Sequence, residues 1–346
     1  GFQIYRPGVW LAHFYRPARL GRTTMHRRYK HALRKLQCQG CKRIIPYLWR
    51  PEFDGVLDVI PWEVSCYHLD DEYTFSLDEA AISNRECALL QRVNHVIIHS
   101  ASLYNKKKGW NENTHLIPMG GDYAHFARLR GEPQDLKDIP HPRIGYVGYV
   151  KGQLDFSLLH AAAEHRPGFS FVFVGPMNEN MRRHSESYAK LERLPNTFFL
   201  GERHVHQLPA YMQHMDVLML CYRKNGYTKY IAPMKLQEYL ATGRPVIGTP
   251  IDYLRLYRQV VSLANTPGEW IVLLDELTSS WKQNSEGVEI QKGIARLHDW
   301  NLIVYRIAER LCASLGESYS QTLEENCSAN IEQAVRKSET NELICA

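Results

Sequence analysis

No aspartate or glutamate occurs before Glu52, although the first fifty residues carry twelve lysines and arginines. The other 296 positions hold thirty basic residues against thirty-seven acidic ones, so the formal charge of +5 conceals a basic head on an acidic body. Asymmetry of this kind marks a surface for a polyanion: nucleic acid, an anionic membrane or a phosphorylated substrate. Long apolar runs are also missing. None approaches the eighteen or so residues that span a bilayer, and the N-terminus has neither the apolar core nor the small-residue cleavage site of a signal peptide. A soluble, cytoplasmic protein is expected. A disulfide framework is missing too, because Cys38, Cys41, Cys66, Cys87, Cys221, Cys312, Cys327 and Cys345 are scattered, most of them in apolar stretches where a reduced thiol packs as a small hydrophobe. Cys38 and Cys41 have zinc-ribbon spacing but no second pair and no histidine pair at ligand spacing, so no metal site is expected.

What is present is apolar material: 44% hydrophobic and 11% aromatic residues over 346 positions, enough for two globular cores. Thr24 is placed to cap a helix from Met25 to about Gln39, with Met25, Tyr29, Ala32, Leu33 and Leu36 on one stripe and Gly40 as its stop. The other face holds His26, Arg27, Arg28, Lys30, His31, Arg34 and Lys35. Tyr29 lies on the apolar stripe, so the basic face lacks the interleaved aromatics of a nucleic-acid surface, and no nucleic-acid partner is expected. Strands are then predicted at Ile44–Trp49, Val64–Leu69 and Val96–His99, with a helix over Asp78–Val93 between the last two. Alternation of this kind implies right-handed crossovers and a parallel sheet.

The segment Arg130–Pro142, with two glycine or proline pairs and no apolar periodicity, reads as a linker. A second series follows: strands at Ile144–Val150, Phe169–Val174, Thr197–Leu200, Val217–Cys221 and Pro245–Gly248, and helices from Asp155, from Gln207 and over Pro233–Ala241. The expected organisation is an N-terminal Rossmann-like domain at 1–130, a linker at 131–142, a second Rossmann-like domain at 143–315, and a tail at 316–346 that is helical or disordered.

In doubly wound sheets ligands bind beyond the carboxyl ends of strands, so the residues just after each predicted strand are weighed first. Gly148, Lys151 and Gly152 follow Ile144–Val147 as a glycine-flanked turn with one cation, suited to a phosphate or simply to a turn. The run from Asn225 through Tyr230, Pro233, Lys235, Leu236 and Glu238 to Gly243 is more telling. Pro233 suits a helix start and Gly243 its end, so the helix is short with a free N-terminus, which attracts phosphate. Lys235 in that first turn is opposed by the dipole unless an anion arrives, and Glu238 has the chemistry to accept from a ribose diol. A solvated Lys–Glu pair fits the same spacing. In the first half, His68, Asp70, Asp71 and Glu72 end a strand, a set suited to general acid–base work, to a metal, or to capping a turn.

Taken together, these residues resemble the GT-B glycosyltransferases, specifically the family-4-like enzymes of cell-surface polysaccharide synthesis such as teichuronic acid glycosyltransferases. The resemblance is densest from Leu194 to Pro250, in Asn196-Thr-Phe-Phe-Leu-Gly201, in Gln207-Leu-Pro-Ala-Tyr-Met, and in Pro233-x-Lys235-Leu-x-Glu238-Tyr-Leu-Ala-x-Gly243-x-Pro245-Val. Upstream, Tyr67-His-Leu-Asp70-Asp71, Val96-Ile-Ile-His-Ser100, Leu116-Ile-Pro118-x-Gly-x-Asp122 and Ile144-Gly-Tyr-Val-Gly148 fall in the family's order. What the resemblance implies is an α/β fold of two Rossmann-like domains facing a cleft. It implies a nucleotide-diphosphate-sugar co-substrate on the second domain and a saccharide or lipid-linked acceptor on the first, with transfer by retention and no cofactor or metal. By position, Gly148, Lys151, Asn225, Tyr230, Lys235, Leu236 and Glu238 look like the donor site, with Glu238 on the ribose and Lys235 at the diphosphate. His68, Asp70 and Asp71 look like the catalytic, acceptor-side group.

Two departures stand out. Many relatives have two glutamates eight positions apart, and the place of the first is Tyr230 here. The glycine-rich turn after a first N-domain strand is absent, because the chain before Ile44 is a basic helix, which with Gly1 leads to the expectation of a missing N-terminal βα segment. These departures motivate a second reading, a non-catalytic GT-B homologue that acts as a scaffold in polysaccharide assembly. Within the transferase reading the basic helix becomes a surface for an anionic membrane, with the protein peripheral at its inner face, while a solvated helix packed on its apolar stripe remains the alternative.

Overall fold

The computed structural model describes residue 4 and residues 18–74, 76–280 and 284–326. The described residues divide into two compact units: 18–74, 80–117 and 306–326 in the first, and 76–79, 118–280 and 284–305 in the second.

The first unit is built on four short parallel strands in the order β1 (Tyr47–Leu48), β2 (Cys66–Leu69), β3 (His95–Ile98) and β4 (Thr114–Leu116). Every residue of β2 and β3 is buried, as parallel strands covered on both faces require. The basic helix runs over Ala18–Cys38 and starts about two turns earlier than the sequence predicts, because Thr24 is no cap. Its hydroxyl donates back to Leu20 O and Gly21 O, the i−4 bonding that a threonine uses inside a helix. Gly40 ends the helix in the left-handed conformation at φ +82°, with the Cys41 N–H on Leu36 O. Met25, Tyr29, Leu33 and Leu36 are half-buried, whereas Arg27, Lys30 and Arg34 are exposed. The helix expected over Asp78–Val93 starts only at Asn84 and ends at Arg92, because Ser83 is the cap that accepts from Glu86 N at 3.2 Å.

The second unit holds six parallel strands: β5 (Arg143–Val147), β6 (Ser170–Val174), β7 (Thr197–Gly201), β8 (Val217–Leu220), β9 (Val246–Gly248) and β10 (Ser262–Leu263). Across the sheet they run β7-β6-β5-β8-β9-β10, with chain order reversing between β5 and β8. That reversal is the topological switch point of a doubly wound sheet. Valines, leucines and phenylalanines of β5, β6 and β8 join Tyr188, Met212, Leu236, Tyr239 and Trp270 in one core. Asn196, beside β7, ties it together: its Nδ2 donates to the carbonyls of Ala163, Arg166 and Phe169 at 2.9–3.1 Å.

The stretch from Arg130 to Pro142 packs onto the second unit. The Arg130 N–H donates to Gln213 Oε1 at 2.9 Å, and Asp135 accepts from Arg203 at 2.7 Å and from Tyr211. A helix at Glu317–Glu325 begins the expected tail. Residues 327–346 lie outside the described residues, as do the first seventeen apart from Ile4. Among the described residues no helix is long and apolar enough to cross a membrane, and six cysteines are free thiols.

Candidate functional site

At the switch point of the second unit, β5 ends at Val147 and hands over to Gly148, whose φ of +144° lies outside the usual range of L-residues. The position admits no side chain: a β-carbon on Gly148 would stand 1.8 Å from Lys235 Cε, and one on Gly175 would stand 2.2 Å from Gly148 O. Lys235 opens the helix Lys235–Thr242, which has no side-chain cap at its N-terminus and closes at Gly243 with φ +70°. Backbone closes part of that start, since the N–H groups of Leu236 and Gln237 donate to Pro233 O and Met234 O at 3.1 Å, and the dipole of the helix remains. Tyr239, fully buried, fixes the helix to the strand: its hydroxyl accepts from Val147 N at 2.9 Å and donates to Val147 O at 3.3 Å. Gly121 presses on the same helix, since a β-carbon there would meet Gln237 Cβ at 3.1 Å and Glu238 N at 3.5 Å.

The electrostatics of this corner are unbalanced. Burial pulls the Lys235 ammonium below its ordinary pKa; Glu238 opposes that fall and the nearby Lys151 adds to it. Burial pushes the Glu238 carboxyl up, and Lys235 works against the rise. The Lys235 ammonium also lies 5.7 Å from the centre of the Tyr146 ring. Two cations that repel each other beside an uncapped helix start form a place that an incoming anion would stabilise.

Three of the residues expected here do other work. Leu236 is fully buried in the core, so its side chain is closed to a ligand, and its N–H is bonded to Pro233 O at 3.1 Å. Asn225 shapes its own loop, with Oδ1 accepting from Tyr227 N at 3.0 Å and Thr228 N at 2.9 Å. Tyr230 is buried and its hydroxyl donates to the Glu79 carboxylate, which also takes the Lys229 ammonium at 3.0 Å. Gly226 permits that contact: its N–H reaches Leu77 O at 2.5 Å, and a β-carbon would collide with the Asp78 backbone.

In the first unit, the acidic run after β2 separates into different environments. Glu72 is buried against Lys106 at 3.0 Å and Lys107 at 3.6 Å, and Lys107 is shared with Glu86 at 2.5 Å, to which Tyr67 also donates. These are charges held by partners inside the unit. Asp71 accepts from the Glu72 N–H at 2.9 Å in a local turn. Asp70 is exposed and takes a hydrogen bond from Tyr73 at 2.5 Å. Among the described residues no cluster of three or more His, Cys, Asp or Glu is arranged to hold a metal.

His68 is buried with both ring nitrogens bonded, Nδ1 to the Tyr47 hydroxyl and Nε2 to His99 Nε2, while His99 Nδ1 reaches Ile117 O at 2.7 Å. The carbonyl of Ile117 can only accept, so His99 carries its proton on Nδ1, His68 carries its own on Nε2, and Tyr47 donates to His68 Nδ1. Burial, and His99 beside it, push the His68 pKa down to about 2. His68 is thus a neutral link in an internal chain, and the general acid–base role expected of it has no free nitrogen to act through. Trp49, which no sequence signal singled out, stacks on His68 with ring centres 4.0 Å apart.

Comparison with known proteins bears on the family and the fold. Residues 141–266 match the family described as glycosyl transferases group 1. Over 240 residues the chain is 28% identical to TuaH of Bacillus subtilis (strain 168), a protein named for teichuronic acid biosynthesis as a glycosyltransferase; the match covers 65% of this chain. It spans 58% of the length of that relative. Among solved structures, Anabaena HepE in complex with UDP and glucose aligns with a TM-score of 0.64 at 16% identity, over 81% of each chain. Sucrose-phosphate synthase from Thermosynechococcus elongatus aligns with a TM-score of 0.65 at 16% identity, over 85% of this chain and 79% of its own. The shared fold is GT-B, as the ordered motifs implied.

Proposed function

We propose that this chain, a GT-B protein of the family-4-like glycosyltransferase type with its group 1 domain at residues 141–266, transfers a sugar from a nucleotide-diphosphate-sugar to a saccharide or lipid-linked acceptor in cell-surface polysaccharide synthesis. The observation that carries this reading is the meeting of Gly148, Lys151, Lys235 and Glu238 at the switch point of the second sheet. Lys151 and Lys235 hold the diphosphate, and Glu238 accepts from the ribose hydroxyls. As the anomeric bond breaks, charge collects on the leaving diphosphate, and a preorganised pair of cations stabilises it more than it does the intact donor. A uridine-diphosphate donor is the reading that the solved complex of the structurally similar HepE with UDP and glucose supports.

Transfer proceeds with retention and needs neither metal nor cofactor, because the two lysines carry the charge that a divalent ion would otherwise carry. The protein works from the cytoplasmic side, with Arg27, Arg28, Arg34 and Lys35 of the helix Ala18–Cys38 facing an anionic membrane.

Calorimetry with UDP, GDP and their sugars tests the reading. Saturable binding that Glu238→Ala weakens about tenfold or more is expected, and absence of binding at millimolar nucleotide sinks it. NMR of the product reports the anomeric outcome, and full turnover in EDTA the absence of a metal. A protein that binds donor but neither hydrolyses nor transfers it would instead be the scaffold.

A further inference from the structure

At the carboxyl edge of the first sheet, β1 and β2 lie side by side and in register, Leu48 opposite Tyr67. The residue that follows β1, Trp49, lies flat on the imidazole of His68, with ring centres 4.0 Å apart and planes at 24°. His68 cannot swing away, because both of its nitrogens are bonded inside the unit. Trp49 is nevertheless 45% exposed, although His68 covers one face of its ring and the Tyr47 ring lies 5.7 Å away, tilted at 60°. Buried support for an exposed tryptophan is unusual for a residue without a partner, since water-facing indole costs free energy that burial would recover.

The polar surroundings are specific. The Tyr73 hydroxyl lies within hydrogen-bond reach of both Trp49 O and the carboxylate of Asp70, at 2.5 Å from Asp70 Oδ1, with one proton to give to either. The Arg50 guanidinium lies over the Tyr73 ring, 5.2 Å from its centre, and reaches Glu52 at 3.3 Å. Tyr73 thereby holds the Asp70 side chain close to the Trp49 backbone. A flat apolar face next to a fixed acceptor fits a ring that is apolar on one side and rich in hydroxyl donors at its edge. A pyranose is such a ring. A nucleobase would also stack, but it would bring its phosphate toward a carboxylate.

We propose that Trp49, seated on His68 and flanked by Asp70, is the stacking platform of a saccharide subsite that takes the acceptor's pyranose by its C–H face, with the Asp70 carboxylate accepting from a ring hydroxyl. The assignment to the acceptor rests on the transferase reading above; the saccharide site itself does not.

Saturation-transfer NMR on the full chain tests it, with methyl glucoside, methyl N-acetylglucosaminide and methyl glucuronide as probes and uridine monophosphate as the competing class. Saturation of ring C–H protons of at least one glycoside is expected, weakened about tenfold or more by Trp49→Ala, kept by Trp49→Phe, and reduced by Asp70→Asn. The Phe variant preserves an aromatic face, so its behaviour separates a lost platform from a misfolded unit, and circular dichroism of each variant checks the fold. Glycoside saturation that is absent in the folded wild type, or equal in Trp49→Ala, overturns the proposal, as does nucleotide saturation that tracks Trp49 in place of glycoside. UDP calorimetry on the same variants keeps the two readings apart. UDP binding that persists in every variant while no glycoside depends on Trp49 removes only the saccharide site, whereas missing UDP binding removes the transferase reading and leaves the saccharide measurement standing.

Discussion

Lys235 lies across Gly148 so closely that a β-carbon on the glycine would stand 1.8 Å from Lys235 Cε and 2.6 Å from its Nζ. The glycine's left-handed backbone and the lysine's reach form one device, in which the strand end stays bare so that the ammonium can lie over it. Gly148→Ala therefore acts twice, through strain of about 1–3 kcal/mol at φ +144° and through displacement of the lysine. Thermal melts of Gly148→Ala, Lys235→Ala and the double variant separate the two. The double variant is expected to be less destabilised than the single effects predict, since the collision is gone; strict additivity would mean that the two side chains do not compete for this space.

Removing only the charge gives a different result. Lys235→Met keeps the apolar stem and deletes an ammonium that burial already disfavours, so the unliganded fold is expected to melt nearly where the wild type does. UDP affinity should fall by about 1.5–3 kcal/mol, the range for a hydrogen bond to a charged group, while affinity for uridine, which has no phosphate, stays unchanged. Calorimetry with both ligands reads this directly. An equal loss for the two would place Lys235 away from the diphosphate.

Much of the second unit was legible in the sequence. Its strands are β-branched or aromatic runs bounded by glycine and proline, and their observed ends lie within a few residues of the predicted ones. Gly148 and Gly243 were readable for the same reason, as each stands where only a left-handed residue fits. The first unit was less transparent. Thr24 reads as a cap because caps and i−4 bonds use the same hydroxyl, and only neighbouring backbone decides between them. In the second unit Leu236 reads as a donor-site residue but lies in the core, and local sequence does not say which positions of a motif turn inward. His68 and Trp49 are nineteen residues apart in the chain, so their stacking is invisible until β1 pairs with β2.

Asn196 offers a test of packing away from the site. One amide nitrogen serves the carbonyls of Ala163, Arg166 and Phe169 within a buried corner. Asn196→Ala leaves these acceptors without that donor, and stability should drop by about 1–3 kcal/mol, read as a shift of the urea midpoint at unchanged slope. Asn196→Asp is expected to be worse, since a carboxylate has no hydrogen to give to a carbonyl. Melting of either variant at the wild-type temperature would show that the three carbonyls find other donors.

The chain from Tyr47 through His68 and His99 to Ile117 ties stability to pH. His68 is held neutral, with its pKa lowered from 6.5 to about 2, so between those values the unfolded chain binds a proton that the folded one refuses. Stability is then fully present above pH 6.5 and declines as the pH falls below it. At about 1.4 kcal/mol for each unit of difference, the loss from pH 7 to pH 5 would be at most about 2 kcal/mol. Burial lowers His95 and His115 as well, so acid weakens the first unit through three groups acting in the same direction. His68→Gln retains a donor and an acceptor without a titrating ring, and urea unfolding at pH 7 and pH 5 should show a smaller difference between the two conditions than in the wild type. A difference as large as the wild type's would mean that His68 takes up its proton in the folded state as readily as in the unfolded one, and the neutral chain would have to be abandoned.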